Sequence, residues 1–182
     1  MSTDSTQYTT VAKILHWLIG LAVLVQISIG WWMIGLPKGV GTVRVDAFNL
    51  HKSIGITLGL LIIFRVVWRL MHKAPPLPAS VPAWQATAAK VSHFLLYACM
   101  LVMPVTGVLG SMFTKFPIKY FGYTIYRTSG EWPAAKELMS QIHYGCVILF
   151  MLLIAVHIAA SLKHAFVLRD GVFQRMWFGR GS

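Results

Sequence analysis

Acidic side chains are scarce in this chain. Only 5 of its 182 residues are Asp or Glu, against 16 Lys and Arg, so the formal charge is +11 with neutral histidines. Charged residues make up 12% of the sequence, about half the share in soluble domains. With 57% hydrophobic residues and a mean hydropathy of +0.66, the composition excludes an ordinary soluble protein and indicates a membrane protein.

Cysteine is also scarce. Cys99 and Cys146 both lie inside apolar runs, and antiparallel threading of those runs places Cys99 at mid-span and Cys146 nearer a span end. We therefore expect two small buried side chains and no disulfide. The N-terminal segment lacks the basic region and short apolar stretch of a signal peptide, so we expect the first apolar run to be retained.

Four apolar runs are long enough to cross a hydrocarbon core, which needs about 20 residues. They cover about 11–36, 51–71, 90–113 and 139–167. A proline-rich segment, 73–84, connects the second run to the third, and we expect a structured or interfacial loop over 114–136. We predict one transmembrane domain, 1–182, with an all-α four-helix fold, membrane lipid around it and no nucleic-acid partner.

Nine basic residues lie near the span ends on the side of the two termini and seven lie on the other side, which favours cytoplasmic termini. The cytoplasmic set is Lys13, Arg65, Arg69, Lys73, Lys90, Lys163, Arg169, Arg175 and Arg180, and the periplasmic set is Lys38, Arg44, Lys52, Lys115, Lys119, Arg127 and Lys136. Subtracting two acids from the first set and three from the second leaves +7 and +4, which sum to the total of +11. A positive balance on both faces runs against the usual topology bias.

Histidines inside the apolar runs need an explanation, because an imidazole in a membrane span is expensive without an interior partner. The last run carries three on one helical face, and the first two of these, fourteen residues apart, are separated by about 21 Å along the helix. His51 lies at the same predicted level as His143. His16 lies at the level of His157 or His164, and counting residues does not choose between them.

Two imidazoles at one depth on neighbouring helices can bind a haem iron from both sides. Glycine or alanine beside these histidines would let a macrocycle approach the backbone. The alternative for any single histidine is a hydrogen-bonded packing role. A histidine-lined metal transporter fits less well, since transport sites usually lie near the midplane and these histidines gather at the span ends.

The motifs ILHW (14–17), LHKSIG (50–55), IHYG (142–145), VHIAASLKH (156–164) and RDGVFQRM (169–176) resemble the small bacterial di-haem cytochrome b561 family. A looser resemblance extends to the b-type subunits of nickel–iron hydrogenases and formate dehydrogenases. The resemblance to the cytochrome b561 family implies two haem b groups in a multi-pass protein of the bacterial inner membrane. It also implies that His51 and His143 hold the iron of the periplasmic haem, and His16 and His157 that of the cytoplasmic haem.

Some members of this family resemble superoxide:ubiquinone oxidoreductases. We therefore expect an oxidoreductase in which superoxide, oxidised at the periplasmic side, supplies electrons that reduce ubiquinone, the haem groups doing the electron transfer without a catalytic side chain. The runner-up is an electron-transfer subunit that links a periplasmic dehydrogenase or carrier to the quinone pool. Its haem ligands would be the same.

Further residues have candidate roles around these sites. We expect Arg65 to meet haem propionates, the alternative being that it reaches lipid headgroups. His93 and His164 are candidates for a quinone site, since histidine can relay a proton near neutral pH, or they are simply polar residues at helix ends. Four cations are candidates for steering an anion, with contact to anionic lipid as the alternative. These are Lys115, Lys119, Arg127 and Lys136.

Overall fold

A computed structural model describes residues 7–38, 42–128 and 130–178. It contains four long α-helices: α1 (Thr10–Gly35), α2 (Thr42–Met71), α3 (Ala83–Met112) and α4 (Pro133–Leu162). A π-helical turn, Lys163–Leu168, continues α4, and a short 3-10 turn follows at Gln174–Met176. All four helices are long and apolar enough to cross a membrane.

Three of the helices start before the apolar runs do. The starts of α2, α3 and α4 at residues 42, 83 and 133 precede the apolar runs that begin at about 51, 90 and 139. These extra turns contain polar residues, so hydropathy alone does not mark them. The four-helix architecture is as predicted.

Local signals explain several helix ends. Thr9 caps α1, because its hydroxyl accepts a hydrogen bond from the backbone N–H of Ala12 at 3.2 Å. Proline occupies the first position of α4, where no helical N–H bond is needed. At the other end of α1, Arg44 donates to the carbonyls of Met33 and Ile34 at 3.1 and 3.2 Å. One of the predicted outer cations is therefore engaged as a helix cap.

The core of the bundle is small and is contributed by all four helices. Its buried members are Leu15, Ile19, Val23, Leu58, Ile62, Cys99 and Phe150. The three from α1 repeat every four residues, so they line one face of that helix. Large apolar side chains elsewhere face outwards, such as Leu70, which is 79% exposed. Such a surface requires lipid around it.

The two cysteines lie next to each other, which the sequence analysis did not expect. The thiol of Cys146 is 3.9 Å from the carbonyl oxygen of Cys99, and both are free. The expectation that they lie at different depths was wrong. Helix α4 starts well before the apolar run, and its pairing with α3 therefore differs from the pairing that the run boundaries suggested.

A β-hairpin covers one end of the bundle. Its strands are β1 (Ile118–Tyr120) and β2 (Tyr123–Tyr126), joined at Phe121 and Gly122, which both have positive φ, as a two-residue hairpin turn requires. The predicted loop over 114–136 is therefore structured. We call this the hairpin end of the bundle.

Helix α2 fixes the hairpin through two hydroxyls. The Ser53 side chain, only 1% exposed, accepts the N–H of Phe121 at 2.9 Å, and Thr57 is 3.1 Å from the Tyr120 hydroxyl. Because Ser53 follows His51 by two residues, the hairpin contacts α2 at nearly the same depth in the bundle as His51.

The first and last described segments of the chain contact each other at the opposite end, which we call the terminal end. The indole N–H of Trp17 donates to the carbonyl of Met176 at 2.9 Å, and the N–H of Tyr8 donates to that of Arg175 at 3.3 Å. Arg175 in turn donates to the carbonyl of Pro76. The C-terminal segment thus connects α1 to the loop between α2 and α3.

Candidate haem sites

Three histidines from three helices converge near the terminal end. The ring centroid of His157 on α4 lies 6.1 Å from that of His16 on α1 and 5.6 Å from that of His93 on α3. Helix α2 contributes Arg65, whose guanidinium is 3.3 Å from Nδ1 of His16 and donates to the carbonyl of Ala12 at 3.2 Å. All four helices therefore supply a polar side chain at one level. His93 is the exposed member of the group, whereas His16 and His157 are half-buried.

Cations collect around this cluster, and the described residues place no carboxylate within ion-pair distance of them. Lys13 is 8% exposed and donates to the Gln7 side chain at 2.8 Å, and the Arg69 guanidinium lies 5.4 Å from the centre of the Tyr8 ring. Within the described residues, neither these cations nor Arg65 form an ion pair with an acid. Such a setting suits an anionic group such as a propionate.

The polar partner of His164 is a carboxylate. It lies in the π-helical turn, and its Nδ1 is 2.6 Å from Oδ2 of Asp170. The other carboxylate oxygen accepts the N–H of Val172 at 3.2 Å. Throughout the described ranges, His164 and His93 make neither a hydrogen bond nor a ring contact with each other, so the two quinone-site candidates do not form a direct pair.

At the hairpin end, two histidines face neighbouring helices that carry glycine. These are His51 of α2 and His143 of α4. A Cβ added at Gly30 of α1 would be 3.3 Å from Cε1 of His51, and one added at Gly107 of α3 would be 3.5 Å from Cε1 of His143. A side chain at residue 30 would crowd the imidazole, so the glycine gives α1 its close approach.

The polar partners of these two imidazoles differ. Oγ1 of Thr106 is 3.0 Å from Nδ1 of His143. Gln26 donates through Nε2 to the carbonyl of His51 at 2.7 Å, but Oε1 of Gln26 and Nδ1 of His51 are buried and have no hydrogen-bond partner among the described residues. Buried polar atoms without partners are rare and costly, which is typical of a site that is completed by another group.

The donors fit haem better than a compact metal site. Histidines from separate helices occur near both ends of the bundle, and neither level has a cysteine ligand of the kind structural zinc prefers. Over residues 7–38, 42–128 and 130–178, no three His, Cys, Asp or Glu side chains are arranged to hold a metal ion. Pairs of imidazoles, small residues beside them and cations for propionates are what a membrane haem requires.

The chain matches the sequence model of a known family, prokaryotic cytochrome b561, over residues 7–179. It belongs to the prokaryotic cytochrome b561 family. The family assignment confirms the resemblance inferred from the histidine motifs. Together with the four apolar helices, it indicates a multi-pass bacterial membrane protein that transfers electrons. Membership also implies that the chain binds haem b.

Three relatives cover most of the chain. "Cytochrome b561 homolog 2" of Escherichia coli (strain K12) is 30% identical over 97% of this chain and 93% of its own length. "Cytochrome b561 homolog 1" of the same organism is 26% identical over 89% and 92%. "Probable superoxide oxidase CybB" of Yersinia pestis is 24% identical over 89% and 90%.

The basic residues around the hairpin do not share one environment. Lys115 lies 3.8 Å from Glu131 and Lys136 lies 3.8 Å from Glu137, in exposed pairs. For Lys119 and Arg127, no acidic partner is found within 4.0 Å in the part of the chain that the structure describes. Of the four proposed steering cations, Lys115 and Lys136 are therefore paired with acids. The other two, Lys119 and Arg127, have no acidic neighbour among the described residues.

Sequence reasoning missed several residues that position the site. These are Gln26, Gly30, Ser53, Thr106, Gly107 and Asp170. One signal was present, because Gln26 and Thr106 are polar residues within apolar runs. Their partners depend on how each helix is rotated about its axis, which composition and spacing do not determine.

Proposed function

We propose that this cytochrome b561 holds two haem b groups, with His16 and His157 as iron ligands near the terminal end and His51 and His143 at the hairpin end. The observation that carries the proposal is the placement of imidazoles from α1 and α4 with ring centroids 6.1 Å apart, while His51 of α2 and His143 of α4 lie beside glycines at the opposite end. Bound haem supplies one-electron redox chemistry in each half of the membrane.

The protein's own residues then bind and orient the cofactors. Gly30 and Gly107 leave room beside the imidazoles at the hairpin end. Arg65 now donates to Nδ1 of His16, which leaves the proton of that neutral ring on Nε2. If His16 held iron through Nε2, that proton would have to move to Nδ1, and Arg65 would be free to donate to a propionate, a stronger, charge-assisted partner.

The substrate we propose is superoxide, with a quinone as electron acceptor. Two superoxide anions lose one electron each and leave as dioxygen, and one quinone takes up both electrons and two protons. Lys119 and Arg127, which have no acidic neighbour among the described residues, would attract the anion to the hairpin end. The relative named a probable superoxide oxidase supports this assignment.

This assignment requires the hairpin end to face the periplasm and both termini to face the cytoplasm, in the inner membrane. The nine-to-seven distribution of basic residues favours that orientation. Reporter fusions at the C-terminus test it, because alkaline phosphatase is active only outside the cytoplasm. An active phosphatase fusion would show that the C-terminus lies outside the cytoplasm and that the proposed orientation is wrong.

The quinone, which we take to be ubiquinone, would react at the terminal end near His93. That side chain is exposed on the surface of the bundle while its ring centroid lies 5.6 Å from that of His157, so a lipid-soluble substrate can reach it. His164 and its partner Asp170 lie close to the exit of α4 and are the candidates for supplying protons.

A second function keeps the same haem ligands but replaces superoxide with a periplasmic protein donor. The observation that favours it is the pairing of Lys115 and Lys136 with glutamates, which reduces the field available to attract a free anion. The remaining cations would then contact acidic groups on the donor.

Stopped-flow mixing of the purified protein with superoxide, in lipid nanodiscs that contain ubiquinone, separates these functions. We expect fast haem reduction without any added protein, followed by ubiquinol formation. Absence of fast reduction in a protein that holds its full haem content would support the protein-donor alternative.

A further inference from the structure

We infer that Thr106 is a positioning residue for His143, holding the imidazole in the tautomer that leaves Nε2 free for iron. The inference rests on the proposed ligation by His143. Thr106 is 6% exposed and lies on α3, and its hydroxyl oxygen is 3.0 Å from Nδ1 of His143 across the contact with α4.

The direction of this hydrogen bond follows from the proton that the hydroxyl has to give. Oγ1 of Thr106 lies 2.8 Å from the carbonyl oxygen of Val102 and 3.1 Å from that of Met103, and both oxygens can only accept. A threonine hydroxyl carries one proton, which these carbonyls take, and its lone pairs then face the imidazole.

We therefore assign His143 as the donor in this bond, through Nδ1–H. A neutral imidazole has its proton on one nitrogen only, so Nε2 carries the lone pair that a metal needs. Ligating histidines commonly donate their other ring N–H to an acceptor, which fixes the ring and raises its basicity. Thr106 is that acceptor here.

The next residue along α3 defines the space beside the ring. A Cβ at Gly107 would be 3.5 Å from Cε1 and 3.7 Å from Nδ1 of His143. The Thr–Gly pair thus supplies a hydrogen-bond acceptor and a position without a side chain at successive residues. Both act on the same edge of the imidazole.

His51 lacks an equivalent acceptor. Its Nδ1 is buried and has no hydrogen-bond partner in the part of the chain that the structure describes, although Gly30 lies beside the ring and Gln26 donates to the carbonyl of His51. A change at Thr106 should therefore act through His143 alone. Losing the acceptor makes His143 a weaker donor to ferric iron, so the midpoint potential of one haem should rise.

The test compares Thr106→Val with Thr106→Ser in the full-length purified protein. Haem content is measured first, and then an optical redox titration and the electron paramagnetic resonance spectrum of the ferric protein are recorded. We expect Thr106→Val to keep both haems, to raise one midpoint potential and to shift one low-spin signal. Thr106→Ser, which retains the hydroxyl, should match the unchanged protein.

Thr87→Val is the matched control. Thr87 is an exposed residue of the same helix, and its hydroxyl donates to the carbonyl of Ala83 at 3.1 Å, the same bond to the fourth preceding residue, with no histidine beside it. Its substitution should leave both potentials unchanged. A shift as large as that of Thr106→Val would overturn the inference, because it would show a general effect of removing a helix hydroxyl.

Unchanged potentials and spectra in a Thr106→Val protein with full haem content would also overturn it. If that variant loses haem, Thr106→Cys decides, since its thiol is a weaker acceptor than the hydroxyl: an upward shift of one midpoint potential relative to the unchanged protein supports the inference and no shift contradicts it. A failure of the ligand assignment itself is recognised separately, by a folded His143→Ala protein that still binds two haems.

Discussion

At the scale of single residues, His143 gives the clearest test of the separate haem sites. Its imidazole lies at the hairpin end beside Gly107, while the His16–His157 contact lies near the other end of the bundle. We expect His143→Ala to lose about half of the haem and to keep the spectrum of the other group, as measured by pyridine haemochrome assay per protein. His72→Ala should keep all the haem, because His72 stacks on Trp68 with ring centroids 4.0 Å apart. Loss of both haems from folded His143→Ala would contradict separate sites.

The choice between His157 and His164 is also decided at single residues. His157 lies in the cluster with His16 and His93, whereas His164 is bound to Asp170 at 2.6 Å. We expect His164→Ala to retain two haems and to slow ubiquinol formation, and His157→Ala to lose one haem. A one-haem protein from His164→Ala would exchange the two roles.

The levels of the histidines along α4 could be predicted from sequence, because they depend only on the regular spacing of residues in a helix. The rise of 1.5 Å per residue separates His143 from His157 by about 21 Å, so two levels follow from the sequence alone. Fourteen and twenty-one residues after His143, the same helical face returns, and spacing cannot choose between the two positions. The contact between His164 and Asp170 is what favours His157 in our proposal, and it occurs at a π-helical turn that no sequence pattern indicated.

At the scale of elements, Ser53 holds the hairpin to α2. Its hydroxyl accepts the N–H of Phe121, a bulky residue in the left-handed region with φ of 46°. Removing the acceptor should cost about 1–3 kcal/mol for the N–H left without a partner. We expect Ser53→Ala to speed hydrogen exchange across 118–126, measured by mass spectrometry.

Ser28→Ala is the control for this experiment. Ser28 is exposed and its hydroxyl donates to the carbonyl of Leu24, at 2.9 Å, within α1. It should leave exchange in the hairpin unchanged. Equal exchange in the Ser53→Ala and Ser28→Ala proteins would show that the hairpin does not depend on Ser53.

The helices were predictable as elements and the hairpin was not. Apolar runs of about twenty residues give a strong signal for a membrane span. The hairpin has strands of three and four residues, and the first residue of its turn is Phe121 instead of glycine or asparagine. Its stability comes from Ser53 and Thr57 on α2, and thus from contacts more than sixty residues away in the chain.

At the scale of the whole molecule, the charge of the hairpin end should control encounter with superoxide. We expect the double variant Lys119→Glu/Arg127→Glu to slow haem reduction by superoxide, and to do so more at low salt than at high salt. Exposed charges are screened beyond about 10 Å at 0.1 M ionic strength. Stopped-flow rates over a range of salt concentrations measure the effect.

Two controls locate the effect at this end. Lys115→Glu should slow reduction less for each charge changed, because Lys115 already has Glu131 at 3.8 Å. Lys90→Glu, in α3 towards the terminal end, should have little effect. A salt profile of the double variant identical to that of the unchanged protein would remove the case for steering.

The measurement that bears most directly on the proposed haem arrangement is the number of haem b groups per chain. It combines a pyridine haemochrome assay with quantitative amino-acid analysis of the purified, folded protein. We predict two per chain, one for each pair of histidines. A value of one, or a colourless protein, would contradict the arrangement of His16, His51, His143 and His157 as two pairs of iron ligands.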